Sequence, residues 1–368
     1  MRKNIISVMA TLAFLPAVSF AAAPTLTEVL DASGVTLAGH ASGSYSYSHV
    51  GISGGGGSAS DNTFTFDQAQ LMISKLPTEG FGAVVDVYAG QDVKGGTYNY
   101  ASGTAGTITA PISALIYPTG AFNTFSGGSQ EINLHQAYVQ YASGGLTIIG
   151  GKFATLAGYE VAADGANTNA TRSLLYGQQA FTLTGVRAGY KVSDMFTAYV
   201  GLSNSAAGGT TLDTDNKKVT ELGIALAPVT GLTVNVTDYI GTDGTVKTNL
   251  LDLVTAYTVG DLSLALNADH NTFKDSGVVD VKNTGVALYA NYQVTKAFRA
   301  GIRGEYLQSK DDIAVTKIKR KEVTLTGGYA AAKNFDLVAD VRRAEVKADG
   351  SPTKGSLTTA VLKAVYKF

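Results

Sequence analysis

The sequence predicts an all-β protein: a transmembrane, antiparallel, up-and-down β-barrel of about sixteen strands, with short periplasmic turns and long external loops. Three observations carry this. Apolar and polar residues alternate over segment after segment, the connections alternate between short and long, and the chain ends on an aromatic, Phe368, that completes one such alternation.

The last segment has the clearest pattern. Ala360, Leu362, Ala364, Tyr366 and Phe368 share one face, and Thr359, Val361, Lys363, Val365 and Lys367 share the other. One face suits lipid and the other water. The dyad recurs upstream. Phe298, Ala300, Ile302 and Tyr306 oppose Arg299, Arg303 and Glu305. Val323, Leu325 and Tyr329 oppose Glu322 and Thr324, while Phe335, Leu337, Ala339 and Val341 oppose Asp336, Asp340 and Arg342. A single such strand would equally suit a soluble β-sandwich. The repetition, the small aliphatics bracketed by aromatics and a charged fraction of only 15% favour lipid.

Short connections are expected at Pro77–Gly80, Ser143–Gly145, Val192–Asp194, Thr230–Gly231, Gly260–Asp261, Thr295–Lys296 and Ala332–Asn334. Longer polar stretches lie between them, among them Gly51–Asn62, Gly90–Gln130, Ala154–Gln179 and Ser205–Asn216. Tyr141, Tyr190, Tyr257, Tyr292, Tyr329 and Tyr366 fall just before a short turn or the C-terminus, and Phe81, Phe196, Phe298 and Phe335 just after one. Together they read as an aromatic ring at one membrane interface.

The N-terminus reads as a secretory signal peptide, residues 1–21: Arg2 and Lys3, an apolar run from Ile5, then small residues with cleavage after Ala21. Residues 22–34 form a periplasmic lead-in and 35–368 the barrel. No later apolar run reaches helical-span length, which excludes a helical inner-membrane protein. There is no Cys, so stability has to come from a closed hydrogen-bonded sheet. A formal charge of −1 argues against a nucleic-acid partner.

The segment INLHQAYVQYASGGLTIIGGKFATLAGYE from Ile132, and the RSLLYGQQAFTLTGVRAGYK that follows, resemble a strand–turn–strand and first inner loop in a family of β-barrel porins related to OmpL. Leu362, Tyr366 and Phe368 resemble the C-terminal signal that outer-membrane barrels present to their assembly machinery. The resemblance implies a bacterial outer-membrane location, a porin fold and passive transport, with no catalytic residues. It departs from the family pattern after Gly151-Lys152-Phe153, where Ala154-Thr155-Leu156-Ala157 replaces a proline-containing stretch.

About sixteen strands leave room for an aqueous lumen, so a diffusion channel for small hydrophilic solutes and ions is expected. The candidate pore-lining residues are Arg187, Arg299, Arg303, Glu305, Glu322, Asp336, Asp340 and Arg342, because a charge within a strand must face water or another charge. The stretch Ala154–Gln179 is expected to enter the barrel, with Leu156, Tyr159, Leu174, Leu175 and Tyr176 against the inner wall and Glu160 and Arg172 at the eyelet. Paired charges imply weak selectivity. Exchanging Arg299 and Arg303 together for Glu is expected to leave the fold largely intact and to move selectivity toward cations.

Other patterns are weaker. Gly51-Ile52-Ser53-Gly54-Gly55 matches a nucleophile elbow in letters only, since no helix follows. His40, His49, His135 and His270 lack metal-ligand spacing, so no metal or cofactor is expected; His49 or His270 would be the candidates for a barrel hydrolase. Asp213-Thr214-Asp215-Asn216 is a weak divalent-cation loop. Lys317, Lys319, Arg320 and Lys321 form a basic cluster that reads either as a contact for lipopolysaccharide phosphates or as a solvated charge run. Expected partners are outer-membrane lipids and lipopolysaccharide, the barrel assembly machinery and small solutes, with a homotrimer as one assembly. A barrel that only displays adhesive loops is the competing reading.

Overall fold

The computed structural model describes residues 30, 32–54, 57–92, 131–205, 213 and 215–368. The signal-peptide stretch, most of the lead-in and most of Gly90–Gln130 lie outside the described residues. Leu30, Ala32 and Ser33 are helical, and the chain divides into units Met1–Val35 and Thr36–Phe368.

The second unit is a closed barrel of sixteen antiparallel strands in which each strand pairs with its neighbours in sequence and the first pairs with the last. The strands are β1 (Thr36–Ile52), β2 (Ser58–Lys75), β3 (Gly80–Gly90), β4 (Glu131–Ser143), β5 (Leu146–Ala154) and β6 (Thr182–Ser193). Then come β7 (Phe196–Ser203), β8 (Val219–Val229), β9 (Leu232–Asp243), β10 (Val246–Val259) and β11 (Leu262–Asp275). The last are β12 (Val279–Gln293), β13 (Phe298–Asp311), β14 (Thr316–Ala332), β15 (Phe335–Ala348) and β16 (Lys354–Lys367). Closure leaves no sheet edge around the ring at the level where all strands pair, as hydrocarbon demands, while the β1–β2 hairpin extends beyond β3, which pairs with β2 over Ala69–Lys75.

Alternation sorts the side chains as the sequence implies. On β13, Ile302 is 47% exposed while Arg303 is fully buried one residue later. Leu325, Val341 and Leu362 stay exposed on the outside of β14, β15 and β16, and Thr324, Arg342 and Lys363 are buried inside. Tyr141, Tyr190, Tyr257, Tyr292, Tyr329 and Tyr366 are exposed at the turn end of their strands, as a lipid-interface ring requires.

Two features of the pattern differ from expectation. Gly51–Asn62 is mostly strand: β1 runs to Ile52 and β2 starts at Ser58, so the polar residues of this stretch stand on an extended hairpin. The loop-end connections of the second half are also short, with only Gly244 and Thr245 between β9 and β10. Long connections are therefore confined to the first half.

β-Bulges break the alternation at decisive places. The β1–β2 register shifts between Ser42 and Gly43, leaving Asp67 without an opposite residue, and both Asp67 and Gln68 become buried. A second bulge in β3–β4 leaves His135 unopposed, and its ring stacks on Tyr88 at 4.6 Å. An inserted residue re-aims the side chains on either side of it.

Candidate functional site

The connection between β5 and β6, residues 155–181, packs inside the barrel. Apolar contacts hold its two ends. Ala157 and Ala180 join Phe153, Leu183, Val219, Tyr239 and Leu250 in one interior cluster. Leu175 packs with Ala265, Ala287 and Tyr289, and Tyr159 lies against that group. Tyr176 and Phe181 pack with Tyr88 and Ala162.

Polar contacts clamp the middle to the wall opposite. Arg303, from β13, reaches Glu160 of the loop at 2.8 Å, Glu305 of its own strand at 2.8 Å and Glu322 of β14 at 2.7 Å. It also donates to the Thr171 carbonyl at 2.7 Å. Glu305 accepts from the Leu174 backbone N–H at 2.6 Å, and Asp340 accepts from both the backbone N–H and the hydroxyl of Thr171 at 2.8 and 2.7 Å. Arg342 pairs with Glu322. One guanidinium thus ties three carboxylates together, which its planar fork of donors permits.

A second anchor is the first of the loop's two 3₁₀ turns, Asp164–Ala166, the other being Tyr176–Gln178. The Asp164 carboxylate accepts from Lys363 Nζ at 2.7 Å, Ser42 Oγ at 2.8 Å and Arg172 at 3.0 Å. Lys363 also lies 3.5 Å from Asp67, the bulge residue. Burial pushes the Asp164 carboxyl up, but Lys363 and Arg172 outweigh it and hold it well below the ordinary carboxylate range. His40 adds a bond to each of Gln68 and Gln70 nearby, and Gln68 Oε1 accepts the Asp164 N–H at 3.0 Å. A third anchor lies on β10 and β11. Asp252 accepts the Gly158 N–H, Asn267 accepts the Tyr159 N–H, and Gln179 donates to Asn267 and Asp269.

The remaining sequence candidates lie elsewhere on the inner wall. Arg187 grips Glu221 with two bonds of 2.9 and 2.8 Å and stacks over the Phe153 ring at 4.4 Å. Arg299 is half-buried and donates to the Thr168 carbonyl at 3.5 Å, its guanidinium filling the space over Gly328. Asp336 sits at the turn-end mouth, paired with Lys367 at 2.8 Å. Glu160 and Arg172 are on the loop but do not pair with each other: Glu160 serves Arg303 and Arg172 serves Asp164.

The basic cluster on β14 separates. Lys317, Lys319 and Lys321 point outward, whereas Arg320 is buried inside, where it donates to Ser309 Oγ at 2.9 Å. The strand period makes this unavoidable. Asp213 uses its carboxylate on the N–H groups of Asp215 and Asn216 and on Lys218, a self-satisfied turn. His49 bonds Ser60 and is half-buried, and His270 bonds Thr284 and is exposed. Among the described residues no carboxylate hydrogen-bonds to a histidine, and no group of three metal-ligating side chains converges.

Comparison with known proteins decides what such a barrel is. Residues 34–368 match the family described as "Putative beta-barrel porin-2, OmpL-like". The chain belongs to that family. It is an outer-membrane porin, a channel for solute diffusion. The porin fold is shared with solved structures of low sequence identity. Pseudomonas putida OprB in its high-pH structure is 12% identical with a TM-score of 0.62, over 92% of this porin and 96% of that chain. The anion-selective porin from Comamonas acidovorans is 13% identical with a TM-score of 0.57, over 91% and 99%. In-vitro folded OmpT of Vibrio cholerae, in its trimer form, is 11% identical with a TM-score of 0.59, over 91% and 99%. No curated protein matches the porin in sequence.

Proposed function

We propose that the inner loop, clamped to the wall by Arg303, forms the constriction and filter of this porin and that small hydrophilic solutes and ions diffuse past it. The carrying observation is that Arg303, Glu305, Glu322 and Asp340 of the wall all bond to the inner loop or to its ion-pair partners. Arg187, Arg299, Asp336 and Arg342 complete the charged lining on either side. Most of these charges are paired within the wall or to the loop, so the ionic selectivity is weak. The chain acts as a channel and not as an enzyme, and a homotrimer is its proposed assembly, supported by the trimer form of the Vibrio cholerae fold relative.

Planar-bilayer recording tests the filter. Replacing residues 157–179 by a short Gly-Ser bridge is expected to raise single-channel conductance several-fold. Unchanged conductance would remove the loop from the conduction path, and no conductance in either form would favour a barrel that only displays loops.

Leu362, Tyr366 and Phe368 are proposed as the assembly signal. The Phe368 backbone also exchanges two hydrogen bonds with Gly39, at 3.1 and 3.0 Å. Phe368→Ala keeps those bonds and removes the ring, so its surface abundance isolates the signal. A sharp drop is expected; normal abundance would leave Phe368 as an interface aromatic.

A further inference from the structure

The outward face of the barrel is apolar in its middle. At the loop end charged residues stand outward from β10 onward, Lys247, Lys274, Lys282 and Lys310 among them, with the densest group of cations on β14, β15 and β16. Lys317, Lys319 and Lys321 of β14, Arg343 and Lys347 of β15 and Lys354 of β16 share the lipid-facing parity there. The register makes them one patch: Lys319 stands opposite Lys347, Lys347 opposite Lys354, and Lys321 opposite Glu345. Two carboxylates accompany these cations, Glu345 and Asp349, and Asp349 is held by Lys319 at 2.9 Å. Among the described residues Lys321, Lys347 and Lys354 make no ion pair. By contrast, β1 and β2 carry no Lys or Arg until Lys75, at the opposite end, and present Tyr45, Tyr47, His49 and Phe64 outward at the loop end.

The height of the patch narrows its purpose. Below it on β14 the outward residues are Val323, Leu325 and Tyr329, all exposed and apolar or aromatic. With about 3.4 Å per residue and a tilt of roughly 40°, Lys321 and Lys317 stand roughly 20 and 30 Å above Tyr329. An apolar band is about 25 Å tall, so the patch straddles its outer edge, where a lipid-facing cation is tolerated and where headgroup phosphates lie.

We propose that this patch binds the headgroup of a bisphosphorylated outer-leaflet glycolipid, a lipid A-type molecule. Charge complementarity favours it over a lipid with one phosphate. The row Lys319–Lys347–Lys354 crosses three strands, roughly 10 Å at the usual strand spacing, with Lys321 and Arg343 a step below, enough for two phosphate subsites. Ser356 and Thr358 stand on the same outward face of β16 beside them, placing hydroxyls where a sugar ring would lie. The patch is independent of the channel's filter.

The test uses the purified full-length barrel in detergent and native mass spectrometry with four lipids: bisphosphorylated, monophosphorylated and dephosphorylated lipid A, and phosphatidylglycerol. Retention is expected to fall in that order of phosphate loss, with phosphatidylglycerol weak, and to weaken as salt rises. The triple variant Lys319→Gln, Lys347→Gln, Lys354→Gln is expected to bind bisphosphorylated lipid A about tenfold less tightly, a modest figure for three rim charges. Equal retention of phosphorylated and dephosphorylated forms, wild-type binding by the triple variant, or phosphatidylglycerol held as tightly as lipid A would each overturn the proposal. Should the triple variant not give a heat-modifiable barrel, Lys347→Gln and the four-lipid series on the unmodified protein decide in the same way.

Discussion

The two walls of the barrel hold the inner loop by different balances of apolar and charged contact. The wall from β3 to β8 is built of shorter strands, 8 to 13 residues, and the loop springs from it between β5 and β6. Its grip is mainly apolar, through Phe153, Leu183 and Val219, with Arg187 and Glu221 as one paired couple. The wall from β10 to β16 has strands of 14 to 17 residues and adds charge to its apolar contacts: Ala265, Ala287 and Tyr289 pack on Leu175, and Asp252, Asp269, Arg303, Glu305, Asp340 and Lys363 bond the loop or its ion-pair partners. Apolar packing on one side helps set where the loop begins and ends, together with the bonds of Asp252, Asn267 and Asp269 to Gly158, Tyr159 and Gln179. Directional bonds on the other set where its middle stops, because an ion pair tolerates far less displacement than a methyl contact.

The largest effect that separates the walls comes from removing their two arginines. Arg303→Ala leaves Glu160, Glu305 and Glu322 buried together, and should cost more than the roughly 3–5 kcal/mol of a single broken buried pair. The temperature at which the barrel loses its compact gel mobility should drop sharply and conductance should rise. Arg187→Ala strands only Glu221, which keeps the Tyr239 hydroxyl at 3.2 Å, and should cost about 3 kcal/mol at most with conductance unchanged. Equal effects from the two would erase the distinction between the walls.

A smaller effect concerns the Asp164 anchor. Its carboxyl is held below the ordinary range, so the stability it adds is fully present above the unfolded value and is lost as pH falls through the folded one. Conductance should therefore be flat with pH down to about 4, the unfolded Asp value, and turn noisy only below it. Asp164→Asn should bring that noise to neutral pH at a cost of about 3–5 kcal/mol, the neutral amide keeping some of the hydrogen bonds. A titration centred near neutrality would sink this reading.

The smallest effect on stability, and the cleanest on selectivity, belongs to Arg299. Sequence parity treats Arg299 and Arg303 alike, yet one is half-buried with a single long bond and the other is sealed among three carboxylates. The double exchange to Glu would set four carboxylates together around position 303, so the expectation of an intact fold changes. Arg299→Glu alone should leave the thermal transition in place and shift the reversal potential toward cations. No shift would place Arg299 off the conduction path.

These contrasts also mark what the sequence discloses. A two-residue period reports which side of the wall a residue occupies, which is why Arg303, Glu322, Asp340 and Arg342 were legible as inward-facing. The period also separates Arg320 from the neighbouring lysines, although adjacency in the chain suggests one cluster. It cannot report a bulge, because one inserted residue changes no composition, and so Asp67 and Gln68 both turning inward was not legible. Nor does it report pairings around the circumference. Lys363 stood on a polar face in the last strand and Asp164 in an aperiodic stretch of small residues, and nothing local joins them.

Gly39 and Phe368 close the circle at its most distant point in sequence. A Cβ at Gly39 would fall 2.6 Å from the Phe368 ring and 2.2 Å from the Gln70 carbonyl, so only glycine lets the terminal residue dock. Further up the same seam, Ser356 bonds Gly51 across 305 positions of chain. Contacts of such separation carry the full entropy of closing a long loop and slow folding accordingly. Every hairpin from β1–β2 to β15–β16 can form with only its own two strands present, but the β1–β16 pairing has to wait for the last strand. The seam is thus a timing device: until β16 pairs with β1 the sheet has two unpaired edges that lipid cannot satisfy.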